Sequence, residues 1–551
     1  MVGSQSPFRC ALCRVNGHLQ PIDASGQSCG FSSGPPCPAC SELKNVDDKI
    51  HDTETILQKL LEQRNVLKNK LNWYNDRLTN RLPLEVVARI FGFTIKQLPF
   101  YQYKAGASFQ HPPMWNSYGH TPWTLAMVCK TWKDIIWASP QLWTSVSINT
   151  AYIPTAYVTF VKEWLGRSGR LPIDLTLYEG CYNDPNYISK KASVLKGLFD
   201  IVNSSSPRWR SLTVSVCDQQ LTYLSGDGSG RWKLENLHFE PFQGWRGEIR
   251  ETSVFRPLIQ PAPTKVSVFR VHFKSIGVVW DRVTHVDFFG CPPINCLAAL
   301  SHAPQITHLT FVGINDNYGQ VPAPLQPIVH EHLQFLKICA SFESIGHLLD
   351  SLTLPSLHEL YIPGHLSQAA ALVARSACRI TSLNVEEHFT SQHDPERDLL
   401  DLLVQLPSLT QLVLKKPHLS DTFFDRLGPY DVIEGDPEFL PELRSLEITQ
   451  CAVSFQWQSV ARMFEPDPEV PELQPRRALK SLKMTDLEVT SGGDYNYDSD
   501  SSDSSYGEHR RRRPEPLQIP QEVVRSLLKI EDSGVEMMIT DDSYHDLLPW
   551  I

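Results

Sequence analysis

A short apolar template recurs along the C-terminal two-thirds of the chain and constrains its fold more than any other feature. In its clearest form the template is Pro-x-(Leu/Ile)-x-x-Leu-x-(Leu/Ile/Phe), seen at Pro304–Phe311, Pro355–Ile362, Pro407–Leu414 and Pro441–Ile448. Degenerate copies lie at Trp209–Val216, Leu234–Phe239, Val283–Phe288, Leu333–Ile338, Ile380–Val385 and Leu479–Met484. The anchors Val286, Leu309, Leu336, Leu360, Leu383 and Leu412 are 23, 27, 24, 23 and 29 residues apart, and gaps of 34 and 36 follow to Leu446 and Leu482. The last two apolar positions of each copy alternate as in a strand, so both face one side. One such unit cannot bury that side alone, whereas stacked neighbours can. The pattern predicts an irregular solenoid with insertions, ending in a helix at Gln521–Ile530 and a strand at Val535–Ile539. A β-sandwich of regular strands is the structural alternative.

The intervals fall in or near the range of about 20–29 residues typical of leucine-rich repeats, and residues 151–551 resemble such an array. An acidic insert interrupts it at about 490–516. Within it, Ser491 to Tyr506 is too poor in apolar residues to fold and is expected to be disordered. The run Arg510–Arg513 that follows is expected to balance its acidic neighbour in solvent, with a nuclear signal or a nucleic-acid contact as the alternative.

The N-terminal part separates into two regions. Residues 1–45 form a Cys-rich tail in which Cys10-x-x-Cys13 and Cys37-x-x-Cys40 make two paired knuckles. Four thiolates in two tight turns suit tetrahedral zinc, so these residues are candidate ligands of a structural zinc ion, with His18 and Cys29 as spare donors. The alternative is a reduced tail that binds nothing. Residues 46–81 carry a heptad pattern through Val46, Ile50, Leu57, Leu60, Leu67, Leu71, Tyr74 and Leu78, with Arg64 at one core position. That predicts a coiled-coil helix and a candidate homodimer seam, or else one long helix packed on the rest of the chain.

Residues 82–150 hold two helical patterns separated by an aromatic insert at Thr94–His120. In Leu82-Pro83-Leu84-Glu85-Val86-Val87-Ala88-Arg89-Ile90-Phe91, Pro83 suits a first helical turn, and Leu84, Val87, Ala88 and Phe91 share one face. A second helix is predicted from Thr121-Pro122, carrying Leu125, Val128, Cys129, Trp132, Ile135 and Ile136 and ending at Ser139-Pro140. The Leu-Pro start, the Val128-Cys129-Lys130-Thr131-Trp132 core and the trailing Ser139-Pro140-Gln141-Leu142-Trp143 together resemble the F-box, in the version found in expanded families of mushroom-forming fungi. The resemblance implies an all-α module in which Leu82, Pro83, Val86, Ile90, Val128, Trp132 and Trp143 contact a Skp-type adaptor and, through it, a cullin.

The fold class expected is therefore α+β and multidomain: a coiled-coil helix, an all-α F-box, then an irregular α/β leucine-rich repeat solenoid. The implied function is that of a non-catalytic subunit of a ubiquitin ligase, recognising a target protein through the array. Two other readings stand beside it: an interaction scaffold dimerising through the coiled coil, and a zinc-dependent nucleic-acid or chromatin factor. The formal net charge of −10 argues against the last, because binding a duplex needs a basic surface. No apolar run approaches the length of a membrane helix, the N-terminus has no secretion signal, and a cytoplasmic or nuclear location is expected. No nucleophile elbow is present, Gly226–Gly230 lacks the Gly-Lys-Ser/Thr of a phosphate loop, and Cys129 is expected to be a buried, inert thiol.

Overall fold

A computed structural model describes residues 38–76, 78–79, 81–95, 121–150, 155–179, 192–229, 233–239, 260–313, 327–339, 343–386, 394–428, 439–464, 479–489, 517–541 and 545–548. The chain is mixed α/β, with a long N-terminal helix and a large parallel sheet. It divides into two compact units, one up to Ile90 and one from Phe91.

In the first unit, α1 spans Pro38–Asn75. It starts earlier than the heptad pattern, because Pro38 is tolerated in a first helical turn. It stops where the Asp76 carboxylate accepts hydrogen bonds from the backbone N–H groups of Leu78 and Thr79. The seam residues from Val46 to Tyr74 are all at least half exposed within this chain. Helix α2, Leu84–Thr94, runs across the division between the units. Its Val87, Ala88 and Phe91 are buried, whereas Leu84, Val86 and Phe93 are exposed.

The second unit opens with α3, Pro122–Ala126, and α4, Lys130–Trp137. The sequence predicted one helix here, and the structure has two. Thr121 caps α3, and Cys129 caps α4 in an extended conformation, its sulfur accepting the Trp132 N–H at 3.4 Å. A cap residue is by nature outside the helix it starts, so Met127 and Val128 leave the apolar stripe.

A 15-stranded sheet follows, parallel throughout. Its long strands are β1 Ser145–Asn149, β2 Ile173–Tyr178, β3 Trp209–Ser215, β4 Asn236–Phe239 and β5 Lys265–Phe269. Next come β6 His285–Phe289, β7 His308–Val312, β8 Phe335–Cys339, β9 Glu359–Pro363 and β10 Ser382–Glu386. The last are β11 Gln411–Lys415, β12 Ser445–Thr449, β13 Ser481–Val489 and β14 Glu536–Asp541, while Ala452–Val453 adds a short strand beside the end of β13. Each long strand pairs with the next in chain order. The parallel pairing rules out the sandwich alternative, whose sheets are antiparallel. Strand β1 falls inside the region expected to be all-helical: Ser145-Val146-Ser147-Ile148-Asn149 alternates polar and apolar as a half-buried strand does.

The register explains the template. Val286, Leu309, Leu336, Leu360, Leu383, Leu412, Leu446 and Leu482 pair strand to strand in one unbroken row, and all are buried. The first apolar position of each copy (Ile306, Leu333, Leu357, Ile380, Leu409, Leu443) is fully buried beneath it. Just before each strand from β4 to β12, one backbone carbonyl accepts two N–H groups from the following unit, as Thr307 O does from Gln334 and Phe335. Helices return between strands: α5 Thr155–Arg167, α6 Ala192–Ser204, α7 Ile294–His302, α8 Glu343–Asp350, α9 Leu366–Ser376, α10 Pro395–Val404, α11 Asp421–Arg426, α12 Trp457–Arg462 and α13 Gln521–Asp532. The final α13–β14 pair completes the sheet against β13.

Candidate functional site

Two surfaces of the second unit concentrate chemistry. The first surrounds the break between α3 and α4. Met127 is 77% exposed, Val128 60% and Phe93 78%. In the same part of the unit Trp132 packs its ring 4.7 Å from that of Phe91, and Ile135 and Ile136 are buried. Of the residues expected to meet an adaptor, Leu82, Pro83, Val86 and Val128 are exposed, and Ile90 and Trp132 are half-buried. Trp143 is placed differently. It is fully buried, and its indole N–H donates to Ile136 O at 2.9 Å. A direct partner contact through Trp143 would require unpacking the core, so its position is that of a support under the surface.

Trp143 belongs to an aromatic cluster that no single motif in the sequence announces. Trp123, Trp137 and Trp143 meet edge to face, and Phe160 and Trp164 of α5 join them. The Arg167 guanidinium, also from α5, lies 4.3 Å from the centre of the Trp137 ring and 5.2 Å from that of Trp143. Cation–π attraction and ring packing thus tie α3 and α4 to the first helix of the sheet region. The Trp164 N–H closes the joint on Trp143 O at 3.1 Å.

The second surface is the outward face of the sheet, opposite the buried rows. At β6 and β7 the rings of His285 and His308 stack at 4.3 Å, and Phe335 of β8 continues the stack. The hydroxyls of Thr284 and Thr307 each reach the carbonyl of the preceding unit's threonine and the Nδ1 of the histidine that follows them. Burial holds the His285 pKa below its ordinary value, with His308 and Lys265 adding to the effect. Beside them burial pushes the Asp287 carboxyl upward.

Further along the same face, β8–β11 bring together Lys337, Tyr361, Asn384, Glu386 and Lys415. Lys337 and Lys415 place their ammonium groups 4.7 and 5.3 Å from the Tyr361 ring centre. The Tyr361 hydroxyl donates to Glu386 at 3.0 Å and accepts from Lys415 at 3.1 Å. Lys416, in the left-handed conformation with φ 54°, meets Glu386 at 4.0 Å. Burial raises the Tyr361 phenol well above its usual value, so it stays a neutral donor. These residues occupy the variable positions between the template's apolar anchors. The spacing therefore carried their orientation, but not which of them would meet.

Other candidates fall away or lie elsewhere. Cys10, Cys13 and Cys37 lie outside the described residues, and Cys40 falls in the first turn of α1. The greater part of the aromatic insert, the whole acidic insert and Arg510–Arg513 also lie outside them. Among the described residues no group of three or more His, Cys, Asp or Glu is arranged to hold a metal, and no helix is long and apolar enough to cross a membrane. Cys129 is half-buried at its cap rather than sealed in a core. Asp227 and Ser206 close Gly226–Ser229 into a turn. No protein-family model matches the chain, and no match is found among curated proteins.

Proposed function

We propose that the chain is the target-recognition subunit of a Skp–cullin–F-box ubiquitin ligase, with the sheet region acting as a leucine-rich repeat array that holds the target. The observation that carries this reading is the exposed apolar pair Met127–Val128, at the head of the Val128-Cys129-Lys130-Thr131-Trp132 run whose Trp132 packs on the buried Phe91. Exposed apolar residues of this size on an ordered scaffold mark a protein–protein contact. The chain would act by recruitment, raising the effective concentration of a target's lysines at a ubiquitin thioester without contributing a catalytic side chain. The test is co-precipitation of a Skp-type adaptor with the full chain. We expect Val128→Asp to abolish it, and Trp132→Ala to weaken it. Equal capture by wild type and Val128→Asp, with both proteins folded, would remove the ligase assignment.

A second reading draws on α1. Its heptad seam is exposed from Val46 to Tyr74, as expected of a helix whose partner is another chain. A scaffold that dimerises through α1 and binds no adaptor would fit that seam equally well. Dimers without adaptor capture would favour it.

A further inference from the structure

Around Tyr361 on the outward sheet face lie Lys337 of β8, Lys415 of β11 and Lys416 just beyond it, together with Glu386, whose carboxylate is already engaged by Lys416 and the Tyr361 hydroxyl. Lys337 and Lys415 have no carboxylate within ion-pair distance among the described residues. Both ammonium groups are instead held against one aromatic ring, a cation–π arrangement that leaves neither paired directly with a carboxylate. It is also a preorganised one, because two flexible side chains are already fixed in place.

We propose that Lys337, Tyr361, Lys415 and Lys416 form a docking site for an extended acidic peptide segment of a partner protein. Its carboxylates pair with the lysines. Around Tyr361 three ammonium groups stand against the one carboxylate of Glu386, and that local excess of positive charge is complementary to an acidic segment. Glu386 and the neighbouring outward Glu359 and Glu447 interrupt the positive face, which disfavours the continuous phosphate backbone of a nucleic acid. The assignment rests on reading the sheet region as the target-holding part of an adaptor.

The test uses the purified full chain and fluorescence anisotropy of short labelled peptides in which Ser alternates with Asp, Asn or Lys. The Asp peptide should bind, and more weakly as salt is raised. Lys337→Glu with Lys415→Glu should lower its affinity about tenfold or more and create binding to the Lys peptide, a gain that misfolding cannot produce. Equal affinity for the Asp and Asn peptides, or Asp-peptide binding unchanged by the double reversal, overturns the proposal. So does tighter binding of a labelled single-stranded oligonucleotide than of the Asp peptide. Adaptor capture by the same double variant separates the two readings. Adaptor binding retained while peptide binding is lost supports the site, and peptide binding by a chain that captures no adaptor keeps the site but removes the ligase context.

Discussion

Trp143 and Val128 show how differently two residues of one motif are used. Trp143 is sealed among Trp123, Trp137 and Trp164, so Trp143→Ala should cost about 3–5 kcal/mol by the usual scale for emptied aromatic sites, read as a fall in the thermal midpoint. Val128 stands in solvent, so Val128→Asp should leave that midpoint unchanged while removing adaptor capture. The histidines set a pH dependence of definite sign. His285 and His330 both have their pKa lowered chiefly by burial, so the fold favours the neutral ring. The unfolded chain binds those protons more readily, and stability present above about pH 6.5 is lost as pH falls. Thermal melts stepped from neutral to mildly acidic pH should show the decline, and His330→Gln should flatten it, because His330 is the more buried of the two.

At the level of elements, the apolar periods identified the sheet and misjudged one helix. The anchors from Val286 to Leu482 fall in a single row because an inward position in a parallel stack admits only an apolar side chain, and sequence spacing records that requirement directly. Strands β1, β2 and β5 escaped because the units around them carry less regular templates. The α3–α4 break escaped for another reason: Val128 and Cys129 continue the helical spacing on paper, whereas the Cys129 sulfur takes the Trp132 N–H and starts a new helix. The Tyr361 and Arg167 clusters depend on which distant side chains meet, information that one sequence does not carry. Helix α1 makes its own prediction. If its seam joins two copies, sedimentation of the full chain should show a dimer, and Leu60→Asp with Leu67→Asp should return a monomer.

Across the whole molecule, stability should vary along the sheet. Each unit contacts mainly its neighbours, so a stacked array approximates a row of locally coupled pieces whose ends open first. Native-state hydrogen exchange should find the amides of β8–β11 most protected and those of β14 among the least. Leu360→Ala should lower protection in β8, β9 and β10 well before it affects β1, and uniform loss along the chain would instead mean one cooperative unit.

The strict strand-after-strand pairing also makes the sheet a ruler. Each step along it advances about 4.8 Å, so the eight steps from β1 to β9 set Tyr361 roughly 38 Å from the strand that follows Trp143. Because the Arg167–tryptophan joint clamps α3 and α4 at the β1 end, that distance is measured from a fixed origin. Inserting or deleting one unit between them would shift anything held at Tyr361 by a single strand spacing relative to Val128, while leaving both surfaces chemically unchanged. Sensitivity to unit number, with both surfaces intact, is therefore the signature of a protein that works by holding things a set length apart.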